Sequence, residues 1–531
     1  MSDTNYDIIV IGSGLGGLSC AAILSKLFNK KVLVLEQHYK LGGFTHDFSR
    51  KNYHWDVGVH YVGDVSSGSF SGGVFKYITE DRLQWQTIPE PYDTHVFPDL
   101  KLEIGQGYEN YAKCLIAVYP DQEANINQYI KDIKAVVDWQ NRYNKSLILP
   151  PFLYPVSDFV RAKNEDLVLM TTKAYLDKTF TNDEIKGVLV SSWGNYGILP
   201  KDSAFFIHCM NVVHFFHGAN YPVGGAGNIA KSIVPTIEKS GGKCLVNHRA
   251  LEIIVENGKA TGVRANYMKN RLKPETDEEK IFTAQIIISD AGVYNTYVKF
   301  LAKASENNTK LAQYKAEIEN FPVGRAHMNL FLGLKGDLSS IGLKGGNLWI
   351  SDSYDHDEID AQSTNVLDGK IQTAFMSSPS MRDKDSKAIT AEIITFVDIK
   401  EFKNWSLTEH NKRPEDYQVM KEKVAQAMIN YVEKYYPGFK DLVDFYELSS
   451  PLTTVHFNNA NAGSMYGLAA IPQRYKTRWA RPYSPIKNVF LTGADIATHS
   501  VAGAVSGGLL TAGASQGLFS FNKILKALNL H

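Results

Sequence analysis

Residues 6–24 read YDIIVIGSGLGGLSCAAIL, and this stretch decides the fold. Residues 6–11 are a short β-branched run, the pattern of a buried parallel strand. Gly12, Gly14, Gly16 and Gly17 interrupt it, residues 18–28 are apolar at helical spacing, and 31–35 are a second apolar run ending at Glu36. Strand, glycine turn, helix, strand is the βαβ unit of a doubly wound dinucleotide fold. Gly12 permits the tight turn out of the strand, and Gly14 lets the backbone approach a pyrophosphate. Gly17 and Ala21 let the helix lie close to the sheet. The helix N-terminus offers free N–H groups and the positive end of its dipole to phosphates. Glu36, 22 residues past Gly14, is placed to accept hydrogen bonds from ribose hydroxyls. A glycine turn without a ligand is the alternative, and the flanking strand, helix and acid argue against it.

Working outward, Gly42 and Gly43 follow Glu36 where many flavoproteins make a second backbone approach to the pyrophosphate, a feature a nicotinamide dehydrogenase does not need. Near the other end, Leu491-Thr492-Gly493-Ala494-Asp495 reads as a strand ending in a small-residue turn, with an acid near the pyrophosphate and ribityl chain. Residues 500–513 are rich in Gly and Ala, as a helix packed close against a flavin would be. The sequence holds no second G-x-G-x-x-G for a separate NAD(P)H domain. FAD is therefore the one dinucleotide expected.

The 531 residues are 44% hydrophobic and 21% charged, an ordinary globular composition with a sizeable core. Lys+Arg and Asp+Glu both number 56, so no global field draws the chain to nucleic acid. Cys20, Cys114, Cys209 and Cys244 form no C-x-x-C pair and read as buried apolar residues in a reducing compartment. The glycine-punctuated start carries Asp3 and Asp7 and no Lys or Arg, which is wrong for a secretory leader. No apolar run reaches the length of a transmembrane helix. Dinucleotide-fold texture appears at 1–80, 204–300 and 481–531. It is interrupted at 81–203 by polar helical stretches rich in aromatics and at 301–480 by strand-like runs such as 326–334 and 391–398, plus a helix over 414–435. A charged hairpin tip is expected over 269–280. The fold class is thus α/β: a Rossmann-like FAD-binding domain in three segments, interleaved with a mixed α+β substrate domain made of the two insertions.

Residues 7–17, Glu36-Gln37-His38, Gly42-Gly43, Asp56-x-Gly58-x-His60-Tyr61, Tyr221-Pro222-x-Gly224-Gly225 and Gly493-x-Asp495 occur in an order that resembles the carotenoid and phytoene desaturase, carotenoid isomerase and retinol saturase family. The resemblance spans nearly the whole chain and is looser at 81–203 and 300–480. It implies a glutathione-reductase-like or amine-oxidase-like FAD domain. It also implies a cofactor shell of Gly12, Ser13, Gly14, Gly16, Gly17, Glu36, Gln37, His38, Gly42, Gly43, Phe44 and Thr45. His60, Tyr61, Ala250 (beside adenine), Gly493, Asp495, Gly503, Ala504 and Val505 complete that shell. The implied chemistry is saturation, desaturation or cis–trans isomerisation of carbon–carbon double bonds in a long apolar polyene, on a flavin that carries the redox step. A flavin amine oxidase and an FAD-dependent unsaturated fatty acid isomerase or hydratase are the alternative functions.

Four further stretches bear on the substrate. His60 and Tyr61 either approach the isoalloxazine ring, with a catalytic role, or brace the FAD domain. The aromatic and histidine segment 205–221 leads into the glycine return, and a hydrocarbon needs apolar lining. Phe215, Phe216, His217 and Tyr221 are therefore expected to bind substrate, with plain core packing as the alternative. His214 is the candidate for proton transfer. His208, His214 and His217 lack nearby carboxylates, and histidines often only satisfy core hydrogen bonds, so no metal is expected. Residues 147–156, with Phe152 and Tyr154 among prolines, read either as a membrane-touching entrance or as a buried loop. Localisation is accordingly expected to be cytoplasmic or peripheral to a membrane, and the electron partner stays open.

Overall fold

The first strand forms at Asn5–Ile11, where Ile8, Ile9 and Val10 are fully buried. It runs parallel to Val32–Leu35 on one side and to Glu279–Ser289 on the other, and all four residues of Val32–Leu35 are buried. Strands covered on both faces need no alternation, hence the unbroken apolar runs. A computed structural model describes residues 4–66, 68–268, 279–382, 386–517 and 519–529. Among these residues the first sheet has seven strands. Six follow the order Lys243–Leu245, Val32–Leu35, Asn5–Ile11, Glu279–Ser289, Lys259–Tyr267 and His248–Glu256, and Val489–Leu491 pairs with the end of Glu279–Ser289. The sheet is assembled from both ends and the middle of the chain. Residues 269–278 of the expected hairpin tip lie outside the described residues.

The helix after the glycine turn spans Leu15–Phe28 and so begins earlier than residue 18, where the apolar periodicity starts. It packs against Val501–Gln516, and glycines set how closely the two approach. A Cβ on Gly508 would lie 2.0 Å from Ser19 Oγ and 2.6 Å from the Gly16 carbonyl, closer than real Cβ contacts allow. The lack of side chains at this crossing is what lets the helix Val501–Gln516 reach the glycine turn of the first βαβ unit.

A second seven-stranded sheet takes the order Val443–Leu448, Ala326–Leu334, Ile389–Val397, Thr373–Ser377, Asn347–Ser351, Asp93–Val96 and Lys101–Glu103. Its pairs are antiparallel apart from Asn347–Ser351 with Asp93–Val96. The strand at Asp93–Val96 lies within a stretch that reads as helical in the sequence. One face is apolar: Met328, Leu330, Leu348, Met376 and Ile393 join Val424, Met428 and Ile429 of the helix Glu415–Tyr435 in one cluster.

The other face has a different character, which the register defines. Directly opposed residues share a face and alternate residues keep it. Trp349 pairs with Phe375 and Phe375 with Ile394, giving an aromatic and aliphatic row across three strands. Beside it, Asp93 pairs with Asn347 and Ser377 with Glu392, giving a row of polar side chains. His327 stands opposite Phe396.

The helices Gly107–Val118, Glu123–Leu147, Thr172–Thr179, Asp183–Val190 and Phe205–His214 contribute to a third apolar assembly, centred on Tyr129, Trp139, Phe205 and Phe206. Cys20 and Cys209 are buried as expected, whereas Cys114 and Cys244 are half-buried. Among the described residues no helix is long and apolar enough to cross a membrane, and no group of side chains is arranged to hold a metal ion.

Candidate active site

The glycine turn and the mixed face of the second sheet open onto one cavity of about 380 Å³. At one end its wall is Gly12 to Gly16, Glu36 to His38, Gly42 to Thr45 and Ala250. Gly12 has φ +98°, a left-handed conformation that a side chain would strain. Gly14 caps the helix Leu15–Phe28 without a side-chain hydrogen bond, and Gly14, Leu15 and Gly16 of that helix start line the cavity. Ser500, Val501 and Ala504, from the start of the helix Val501–Gln516, line the same cavity. Two helix N-termini therefore converge on it, the arrangement that favours an anionic ligand.

Glu36 is buried at the end of its strand. It accepts from Ser13 N–H at 2.9 Å and Ser13 O–H at 2.7 Å, and from His38 N–H at 2.7 Å. Burial raises its pKa and these bonds work against the rise. Asp290 follows the strand Glu279–Ser289 and lies beneath the glycine turn. Its carboxyl is pushed up to about 8 by burial, with Glu36 and Asp495 adding repulsion and a Gly17 backbone hydrogen bond opposing it. Its Oδ2 is buried without a hydrogen-bond partner. Asp495 accepts from Val293 N–H at 2.9 Å and Leu468 N–H at 3.1 Å, fixing two loops at the cavity rim.

The other end is walled by Trp349, Phe375, Ile394 and Phe396 of the second sheet, with Met465 and Tyr466. His60, His327 and Asn195 are the polar side chains set into this apolar wall. Burial depresses both histidines, His60 to about 3 and His327 to about 4, so both rings are neutral near pH 7. Behind them runs the buried polar row. Tyr61 O–H donates to Asp93 Oδ2 at 2.9 Å, Asn347 donates to Asp93 Oδ1 at 3.0 Å, and Ser377 donates to Asn347 Oδ1 at 2.8 Å. Arg382 donates to the same Asn347 oxygen at 2.6 Å and to the His60 carbonyl at 2.9 Å. The Asp93 carboxyl is pushed up to about 7 by burial.

Several expected site residues lie elsewhere. Tyr61 is not on the cavity wall: its ring stacks on Phe215, with centroids 4.1 Å apart, and its hydroxyl is committed to Asp93. His214 is not on the wall either, because its Nε2 accepts from Gly63 N–H at 3.1 Å and holds that loop. Phe216 packs on Tyr108 and Tyr111, His217 is exposed, and Tyr221 O–H donates to the Asp56 carboxylate. None of Phe215, Phe216, His217 and Tyr221 lines the cavity; Phe215, Phe216 and Tyr221 pack in the core and His217 is exposed. Gly17, Gly493, Gly503 and Val505 also stand back from the wall. The three glycines permit close backbone packing: a Cβ on Gly17 would lie 2.4 Å from Gly12 O, and one on Gly503 2.1 Å from Thr498 O. Val505 is fully buried in the core under the first sheet. Within 147–156, Phe152 is 75% exposed and forms no part of the cavity, whereas Leu147 is buried.

Residues missed by sequence reasoning are Trp349, Phe375, Ile394, Phe396, His327, Asn195 and Asp290. Period-two spacing of Ile394 and Phe396 within an apolar strand was the available signal for one wall.

Residues 10–77 match the model of a family described as an NAD(P)-binding Rossmann-like domain. The all-trans-retinol 13,14-reductase of Danio rerio is 31% identical over 95% of this chain and 85% of its own length. The chloroplastic prolycopene isomerase of Arabidopsis thaliana is 26% identical over 87% of this chain and 74% of its own. Among solved structures, the cyclohexylamine oxidase of Brevibacterium oxydans superposes with a TM-score of 0.57 over 98% of this chain and 99% of its own, at 13% identity. That last likeness is one of fold alone.

Proposed function

The chain belongs to the family of the all-trans-retinol 13,14-reductases, and on that premise we propose that it is an FAD-dependent oxidoreductase that saturates a carbon–carbon double bond of a long apolar polyene, a retinoid or carotenoid. The observation that carries the reading is that a dinucleotide-type glycine turn and the row Trp349–Phe375–Ile394 wall one cavity. A polyene has few polar handles, so its affinity comes from apolar surface removed from water, at about 25 cal/mol per Å². Aromatic side chains on rigid strands supply that surface. An amine substrate would call for different contacts, and the likeness to amine oxidases extends only to the fold.

The residues at the dinucleotide end fit FAD. The uncapped helix start at Gly14, the left-handed Gly12 and the second helix start at Ser500 suit a pyrophosphate, and Glu36 has lone pairs left for ribose hydroxyls. When bound, FAD supplies two-electron hydride chemistry. The chain's own contribution is to hold the polyene on the second sheet, exclude water with that apolar wall, and present His60 as one of the polar groups among the aromatic side chains. Acid treatment of the purified protein is expected to release FAD. A protein that neither carries nor takes up FAD contradicts the cofactor assignment. Anaerobic incubation of the reduced holoprotein with retinoids, carotenoids, amines and unsaturated fatty acids then tests the reaction. A polyene product carrying two more hydrogens is expected. Peroxide from amines, or water added to a fatty acid, with no change in any polyene, contradicts the reading.

Asp290 gives the cofactor site a pH dependence with a definite sign. Its folded pKa, about 8, lies above the ordinary Asp value, so the folded chain keeps a proton that the unfolded chain releases. Apoprotein stability therefore falls as pH climbs from the ordinary Asp range to about 8. A pyrophosphate beside Asp290 favours the protonated form further, so FAD binding retains a proton that the free protein sheds above about pH 8. FAD affinity is expected to weaken as pH rises past that value, and Asp290→Asn to flatten the profile. Fluorescence titration of apoprotein on either side of the transition checks this, and an unflattened profile assigns the proton to another group.

A further inference from the structure

Glu392 is the one acid in the strand Ile389–Val397, which is otherwise apolar or Thr. It is 1% exposed and sits in the polar row immediately beside the aromatic row of the cavity wall. Asn329, from the neighbouring strand, donates to its Oε2 at 2.7 Å. Its Oε1 lies 4.0 Å from His60 Nδ1. That nitrogen is buried with no hydrogen-bond partner, while the ring, 13% exposed, lines the cavity. His327 also lines the cavity with a partnerless Nδ1, but among the described residues no carboxylate lies within 4.0 Å of it, as Glu392 does of His60. An acid and an imidazole edge thus face each other at the back of the wall, and the opposite edge of that imidazole belongs to the cavity.

We propose that Glu392 and His60 form a proton-delivery pair for the polyene double bond. The inference rests on the reading of this cavity as a double-bond reductase site. Saturation consumes one hydride, supplied by a reduced flavin, and one proton. The Glu392 O–H bond breaks as its proton passes to His60 Nδ1, and the His60 Nε2–H bond breaks as that proton forms a C–H bond at one carbon of the double bond. The second carbon takes the hydride. Glu392 is left as a carboxylate beside an Nδ1–H imidazole; after product leaves, the Nδ1 proton returns to Glu392 as His60 Nε2 takes a proton from solvent entering the cavity. Glu392 acts through His60 and is a positioning and proton-supplying residue; His60 is the catalytic one.

The electrostatics agree with the geometry. Burial holds the Glu392 carboxyl well above the usual carboxylate range, with Asp56 adding to the rise and Asn329 opposing it. His60 faces Arg382 and His327, and both oppose its protonation. The resting pair is a neutral acid beside a neutral imidazole, the state that can donate without first taking up a charge. Arg382 fixes the His60 backbone through its carbonyl, and Arg382 is itself held by Asn347, so the ring is positioned from behind by the polar row.

Glu392→Gln keeps the shape and an acceptor for Asn329, so the fold and flavin content are expected to be retained. Difference infrared spectra of flavin-loaded wild type and Glu392→Gln at neutral pH should show a carboxylic-acid C=O band that the variant lacks. In anaerobic single turnovers of reduced holoprotein with all-trans-retinol, the variant is expected to be slower by about 10²-fold or more, with unchanged retinol affinity. Wild type should show a solvent deuterium isotope effect on the same step, and Glu392→Asp should restore part of the rate. Absence of the C=O band, or wild-type turnover in Glu392→Gln, overturns the pair. A wild-type protein that reduces no polyene overturns the functional reading instead, and the infrared measurement still decides whether Glu392 holds the proton.

Discussion

Gly16→Val is expected to give a chain that holds no flavin and unfolds at a markedly lower temperature. A Cβ at Gly16 would lie 2.4 Å from Gly493 Cα, 2.7 Å from Gly493 N and 2.6 Å from Asp290 Oδ1. Two of these three atoms are backbone, so no rotamer change relieves the clash. The Gly16 carbonyl also faces the position where Gly508 lacks a side chain. The first helix therefore cannot shift without parting from the helix Val501–Gln516, and residues at both helix starts line the cavity. Overpacking of this kind costs about 1–3 kcal/mol in a deformable core, and more where backbone must move. Flavin absorbance per polypeptide and a thermal melt check the outcome. A variant with full flavin content would mean that the two helices do not meet as described.

His60→Ala is expected to keep its flavin and lose about 10²–10⁴-fold in turnover, the usual share of a general acid. The ring belongs to the substrate end of the cavity, and the cofactor end does not depend on it for backbone geometry. Among the described residues its one ring contact is with Phe375, at 5.0 Å between centroids, so little packing is lost on truncation. His214→Ala is the contrasting variant. His214 holds Gly63 through one hydrogen bond, so its loss costs stability of about 0.5–1.5 kcal/mol and leaves chemistry nearly untouched. Parallel steady-state assays of the two variants separate the roles. If His214→Ala were the slower enzyme, the assignment of the cavity wall would be wrong.

What was legible in the sequence was whatever lies close together along it. The glycine turn, Glu36 and the Gly42–Gly43 approach fall within a stretch of the chain that folds as one βαβ unit, and each carries a local conformational signature such as the positive φ of Gly12, Gly42 and Gly43. The substrate wall carries none. Trp349, Phe375 and Ile394 come from three strands, and only the register of the second sheet makes them neighbours. The segment at 205–221 misled for the opposite reason. Its aromatics are adjacent in sequence and close to the glycine return, but the helix Phe205–His214 turns them into the cluster around Tyr129 and Trp139. Glu392 did leave a signal. One carboxylate inside the run ITAEIITFV marks either an edge strand or a buried acid with partners, and the central position of that strand selects the second.

The central claim is that one cavity lets a bound flavin and the chain's own proton source reduce a polyene double bond. Rapid anaerobic mixing of stoichiometrically reduced holoprotein with all-trans-retinol tests it most directly, with flavin reoxidation followed by absorbance and product quantified by mass. The account predicts one molecule of product, two hydrogens heavier, for each flavin reoxidised, with both processes at the same rate. Flavin that stays reduced in the presence of retinoids and carotenoids, or that reoxidises without a saturated product, would contradict it.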